Sequence, residues 1–158
     1  DDKATYIYVP EMIRYYLNEE PILENIKTYR LDKPDEKAYV LENIDQMVVK
    51  KTDGSGGYGM LMGKTASEKE IKEYVEKIEK KPENFIAQPT LSLSTTPCII
   101  GDELTPRCVD LRPFAVYGAA GIKVCPGGLS RVALKKGSLV VNSSQGGGSK
   151  DTWVIKNS

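Results

Sequence analysis

The sequence has 158 residues, enough for one good core or for two small lobes. Its 22 basic residues balance 22 acidic ones, which excludes a global field favouring nucleic acid or an anionic membrane, and any polyanion must be bound locally. Histidine is absent, which excludes Ser-His-Asp and Cys-His catalysis and argues against most catalytic zinc sites.

In chain order, Tyr8 to Glu20 reads as a helix, with Pro10 suited to its first turn and Met12, Ile13, Tyr16 and Leu17 at helical spacing. Pro21 breaks it, and Ile26 to Leu31 reads as a short strand. A second helix is expected from Pro34 to about Ile44, with Ala38, Leu41 and Ile44 on one face. Met47-Val48-Val49 is a compact apolar strand ending in Lys50-Lys51, and Met60-Leu61-Met62 is its returning partner. Ser67 with Glu70 three residues on is a capping-box signature for a helix whose apolar stripe is Ile71, Tyr74, Val75 and Ile78. Lys81-Pro82 ends that helix, and Phe85-Ile86-Ala87 is another short strand. Beyond Arg107 the pattern predicts short strands at Val109 to Tyr117, Ile122 to Val124, Ser130 to Leu134 and Leu139 to Val141. Gly118 to Gly121 and Lys135-Lys136-Gly137 are the turns between them. Asn142 to Lys150 reads as a polar glycine-rich loop (a lid, an anion nest or a linker), followed by the apolar segment Trp153 to Ile155. The sum is α+β, helix-rich over 1–90 and strand-rich over 91–158.

Between the two short strands lies Asp53-Gly54-Ser55-Gly56-Gly57-Tyr58-Gly59, which matches GxGxxG. A dinucleotide site requires a helix immediately after such a loop, and none begins before Ser67. Gly63-Lys64-Thr65 is not a P-loop, because Tyr58 stands where that motif needs glycine. What remains is a strand, a lysine at its end, and a glycine-rich hairpin whose backbone N–H groups can approach phosphate oxygens. An ordinary hairpin loop is the alternative, although four glycines among six residues exceed what a tight turn requires.

Three further features bear on setting. Cys98, Cys108 and Cys125 are odd in number with no Cys-x-x-Cys pair, which predicts reduced thiols in a cytoplasmic protein. No apolar run approaches the ~20 residues that cross a bilayer. The tyrosines of the first 39 residues are expected to pack rather than to stack on nucleic acid, since no basic patch accompanies them.

Val48-Val49-Lys50 followed by Gly54-Ser55-Gly56-Gly57-Tyr58-Gly59 resembles the lysine strand and glycine loop of the ATP-grasp superfamily, and more closely its circularly permuted bacterial branch. Tyr8 to Leu17, Val109 to Phe114, Pro126 to Leu134 and Gly137 to Trp153 also look like that branch. The resemblance implies an ATP-grasp-like α+β fold with a lysine-strand and glycine-loop hairpin followed by an antiparallel-rich sheet. It implies that Lys50 and Lys3 grip phosphate and that Ser55, Gly56, Gly57 and Gly59 close over it. Phe85-Ile86-Ala87-Gln88 resembles the hinge strand, which would put Gln88 and Pro89 near adenine. Asp110-Leu111-Arg112 resembles the Asp-x-Arg of the ribosomal-protein glutamate ligase branch, so Arg112 would face the transferring phosphoryl group or a carboxylate. Without the resemblance, Asp110 and Arg112 read as a surface ion pair. Arg131 and Asn142 stand where that branch keeps polar groups facing the same pocket. Lys51 departs from the family, standing in place of proline, and Cys108 stands in place of histidine.

The resemblance further implies ATP and Mg2+ as cofactors. Magnesium in this superfamily is held by carboxylates, often a Glu-x-Asn pair, and no Glu-x-Asn occurs in the sequence. The expectation is a piece of a longer protein whose upstream part supplies the metal ligands, and which is inactive alone. The whole would be an ATP-dependent ligase joining a carboxylate to an amine through an acyl phosphate. The alternative expectation is a non-catalytic nucleotide-binding or assembly module.

Overall fold

A computed structural model describes residues 2–54, 59–133, 135–139, 141 and 147–155. The chain divides into two units, Asp1–Leu91 and Ser92–Ser158, and each is built on its own four-stranded antiparallel sheet.

In the first unit the Asp2 carboxylate accepts from the Ala4 N–H at 2.8 Å and caps a 3-10 helix, Lys3–Tyr8. This runs into α1 (Val9–Leu17), which stops at Asn18 in the left-handed conformation, three residues short of the expected Glu20. The expected strand over Ile26 to Leu31 contracts to β1 (Tyr29–Arg30). α2 (Pro34–Glu42) buries Val40, with Leu41 partly buried beside it. Ala38, expected on the buried face, is exposed, because the side chains that reach the core are Val40 and Ile44 at i, i+4 spacing. β2 (Met47–Lys51) and β3 (Met60–Met62) follow, then α3 (Glu68–Lys80) and β4 (Phe85–Pro89). α3 starts with the full Ser67–Glu70 capping box, and Glu70 is held below the usual carboxylate range by hydrogen bonds from the Ser67 hydroxyl and backbone N–H.

The sheet order is β1-β4-β2-β3, and its register explains what each face does. Tyr29, Ala87, Val49 and Leu61 form one cross-strand row and all are buried. They pack with Val40 of α2 and Ile78 of α3, both fully buried, each such side chain contributing about 1.5–3 kcal/mol. The adjacent row, Arg30, Ile86, Lys50 and Met60, projects from the opposite face because side chains alternate along a strand. One face is therefore core, and the other carries the polar groups.

Gly63 follows β3, and a Cβ there would meet the Ile44 carbonyl oxygen at 1.8 Å. This glycine permits the close approach of two 3-10 turns, Ile44–Gln46 and Gly63–Thr65.

The second unit is longer-stranded than expected. β5 (Thr95–Ile100), β6 (Glu103–Gly118), β7 (Gly121–Val132) and β8 (Gly148–Asp151) pair in chain order. β5 and the first part of β6 precede Val109, where the expected strands begin, and they contain Pro97 and Pro106. Pro97 is tolerated on an edge strand, and the two prolines oppose each other in register. Pro113 lies at a register shift before Ala115. Ile122 to Val124 and Ser130 to Val132 belong to one strand, β7, rather than two; Ala133 lies beyond it and Leu134 is outside the described residues. Leu139 and Val141 are not in a strand, and Val140 is outside the described residues. Gly148 to Lys150, expected in a loop, lie instead in β8 against β7. Asn142 to Gly146 are outside the described residues. Cys98, Cys108 and Cys125 are free thiols, buried, half-buried and exposed respectively. Among the described residues no helix is long and apolar enough to cross a membrane.

Candidate functional site

Lys50 lies near the end of β2 on the polar face of the first sheet. Its Nζ donates to Gln88 Oε1 at 2.6 Å, and Gln88 Nε2 donates to Thr28 Oγ1 at 2.8 Å. The Thr28 hydroxyl donates to the Ile26 carbonyl at 2.9 Å. Register places this relay: Val48 opposes Gln88, so Lys50 and Gln88 are diagonal neighbours on one face. Gln88 is buried, and Lys50 is half-buried.

Lys3 approaches the same strand end from the start of its 3-10 helix. Its backbone N–H donates to the Thr52 carbonyl at 2.9 Å, and its ammonium donates to the Gly54 carbonyl. Burial lowers the Lys50 pKa first, and the neighbouring Lys3 charge lowers it further. Lys50 thus has a neutral amide for a partner and a second cation for a neighbour. No carboxylate offsets it among the described residues. Burying charge without an opposite charge is costly, and an incoming anion relieves that cost.

Arg30 lies two strands away in the same cross-strand row and is held by Tyr8 and Asp32. Thr28 and Arg30 were missed in the sequence. Their alternation across Tyr29 was the available signal, but only the β1–β4 register brings them to the Gln88 face.

Gly59 has φ 68, in the region that favours glycine, and closes the hairpin beside the Lys51 side chain. Pro89 ends β4 opposite Met47, and the next N–H, Thr90, donates to the Gln46 carbonyl at 2.9 Å. Ser55, Gly56 and Gly57 lie outside the described residues.

In the second unit Asp110 and Arg131 are register partners across β6 and β7. Arg131 Nε donates to Asp110 Oδ1 at 2.8 Å and Nη2 to Oδ2, a bidentate pair that raises the arginine pKa further. Asp110 therefore pairs with Arg131, and the ion pair with Arg112 expected from strand alternation does not form. Arg112, on the same face two residues on, is exposed and has no ion pair among the described residues. Gly128 sits opposite Pro113, where a Cβ would meet the Arg112 carbonyl at 2.9 Å. Asn142 lies outside the described residues.

The Lys50 face presents ammonium, guanidinium, amide and hydroxyl groups. These suit an anion and not a hard dication, which needs several oxygen donors. No cluster of three or more acidic or cysteine side chains occurs among the described residues.

The sequence model of a family described as circularly permuted ATP-grasp type 2 matches residues 1–133. An uncharacterized protein of Synechocystis sp. is 56% identical over 158 residues, covering 100% of this chain and 33% of that protein. An uncharacterized protein of Mycobacterium leprae is 55% identical over 155 residues, covering 98% of this chain and 28% of that protein. A Frankia casuarinae protein named "Putative glutamate--cysteine ligase 2-2" is 49% identical over 154 residues, covering 98% of this chain and 18% of that protein. The chain thus spans about a third or less of the length of these relatives.

Proposed function

The chain belongs to the circularly permuted ATP-grasp type 2 family, and from that premise we propose that its first unit holds the phosphates of ATP on the Lys50 face. The observation that carries this reading is the half-buried Lys50 ammonium, paired among the described residues with a neutral amide and crowded by Lys3. A triphosphate laid along this face would receive charge-assisted hydrogen bonds from both lysines. Gln88 would give up its hold on Lys50 as phosphate arrives and turn its amide toward the nucleotide, while Pro89 ends the strand beside the adenine. Ser55, Gly56, Gly57 and Gly59 would cover the phosphates, supplying backbone N–H groups.

The whole protein, on this reading, is an ATP-dependent ligase that joins a carboxylate to an amine. A relative that bears the name of a glutamate–cysteine ligase supports the reaction class. A carboxylate oxygen attacks the γ-phosphorus and ADP leaves. The amine then attacks the acyl carbon, and phosphate leaves with one oxygen that began on the carboxylate. In the first unit Lys3 and Lys50 would stabilise charge on the phosphates, and in the second unit Arg112, Arg131 and Asn142 would supply the polar groups that bind a carboxylate. Magnesium, when bound, would neutralise phosphate charge; the donors on the Lys50 face do not fit it, so its ligands would come from elsewhere in the whole protein.

Turnover of the whole protein with ATP and an oxygen-isotope-labelled carboxylate tests the route. Transfer of one labelled oxygen into the released phosphate is the expected result, and unlabelled phosphate accompanying amide formation would refute the acyl phosphate. ATP binding without amide formation, across a panel of carboxylates and amines, would favour a non-catalytic nucleotide-binding module.

A further inference from the structure

Lys50 and Lys51 are consecutive in β2 and so point to opposite faces of the sheet. Lys50 serves the polar face, and Lys51, opposite Phe85 in register, turns toward the side covered by α3. There it borders a groove of about 400 Å³, lined also by Lys77, Lys80, Lys81, Tyr74 and Phe85. That volume falls in the range, roughly 300–1,000 Å³, of small-molecule sites.

The groove combines an aromatic wall with a cationic rim. Phe85 is buried, Tyr74 is half-buried, and their rings meet edge to face with centroids 6.4 Å apart. The Lys77 ammonium lies 4.8 Å from the centre of the Tyr74 ring. Lys51, Lys80 and Lys81 make no ion pair among the described residues. Their ordinary role would be to offset the partial negative charge at the C-terminus of α3. Four lysines and no carboxylate line the groove among the described residues, more positive charge than that half-charge requires. The backbone fixes its shape: Thr52 N–H donates to the Asn84 carbonyl and Asn84 N–H to the Lys81 carbonyl, which ties the end of β2 to the turn after α3.

We infer that this groove is a second ligand site, separate from the Lys50 face, for a small anion carrying an aromatic body, the chemical class of a nucleoside monophosphate or an aryl phosphate. The aromatic part stacks against Tyr74 and Phe85, and the anionic part lies among the lysines. The inference does not rest on the proposed ATP site, which uses the other face of the sheet.

Amide NMR spectra of the chain titrated with 1-naphthyl phosphate test it. Saturable shifts centred on Lys51, Tyr74 and Phe85 are expected. Lys80→Glu/Lys81→Glu, two exposed positions, is expected to weaken binding about tenfold or more, while Lys50→Met leaves it unchanged. Inorganic phosphate is expected to bind more weakly than the aryl ester, because it gains nothing from the aromatic wall. Shifts centred on Lys50 and Gln88, no saturable shifts, or affinity indifferent to the charge reversals would overturn the inference. Equal binding of inorganic phosphate would overturn the aromatic part of it.

Discussion

Lys50 illustrates how one residue can carry a functional argument through its surroundings. A lysine at a strand end is unremarkable, but one that is half-buried, bonded to an amide and next to another lysine holds its proton less firmly than usual. Because the folded-state pKa lies below the unfolded value, the protonated lysine works against folding. That cost is full below the folded pKa and fades as pH rises toward the unfolded value. Anion binding has the opposite dependence, since it needs the proton. ATP affinity is expected to fall as pH rises through the lowered Lys50 value, before an ordinary lysine would titrate. Lys50→Arg is expected to flatten that fall, because arginine stays charged. Calorimetric titration across alkaline pH measures both. A fall of the same size and position in Lys50→Arg would show that another group is responsible.

At the scale of elements, Gly63 separates packing from chemistry. Its place in Gly63-Lys64-Thr65 suggests a phosphate loop, but the position demands glycine because the Ile44 carbonyl oxygen occupies the space of a side chain. Gly63→Ala is expected to cost several kcal/mol, roughly 3 or more, since backbone rather than a flexible side chain must yield. Denaturant unfolding measures the loss; a change below about 1 kcal/mol would contradict the close approach. Much of the first unit was legible for local reasons. The capping box of Ser67 and Glu70 and the apolar stripe ending at Ile78 are written within one helix, and Met47-Val48-Val49 is a run of strand formers. What was not legible is pairing. Thr28 meets Gln88 only because β1 pairs with β4, a relation between residues 60 positions apart. β6 continues through Pro106 and past Pro113 because its partners accommodate them, which no local reading of proline reveals. Asp110 and Arg112 read as a pair by alternation, yet the cross-strand neighbour Arg131 takes the carboxylate.

For the whole molecule, family membership and partial coverage of the relatives belong together. The chain is an α+β member of the circularly permuted ATP-grasp type 2 family, and it spans a third or less of the relatives that resemble it over nearly all its length. Exposed apolar side chains are numerous in both units, from Tyr15, Ile22 and Leu23 in the first to Tyr117, Ile122 and Trp153 in the second. Phosphate binding on the Lys50 face of the first sheet is tested most directly by ATP affinity in the whole protein with and without the Lys50 ammonium. Loss of one charge-assisted hydrogen bond, about 1.5–3 kcal/mol, predicts that Lys50→Ala weakens ATP binding by about tenfold or more in a calorimetric titration at neutral pH. An unchanged affinity in a folded Lys50→Ala protein would contradict the account.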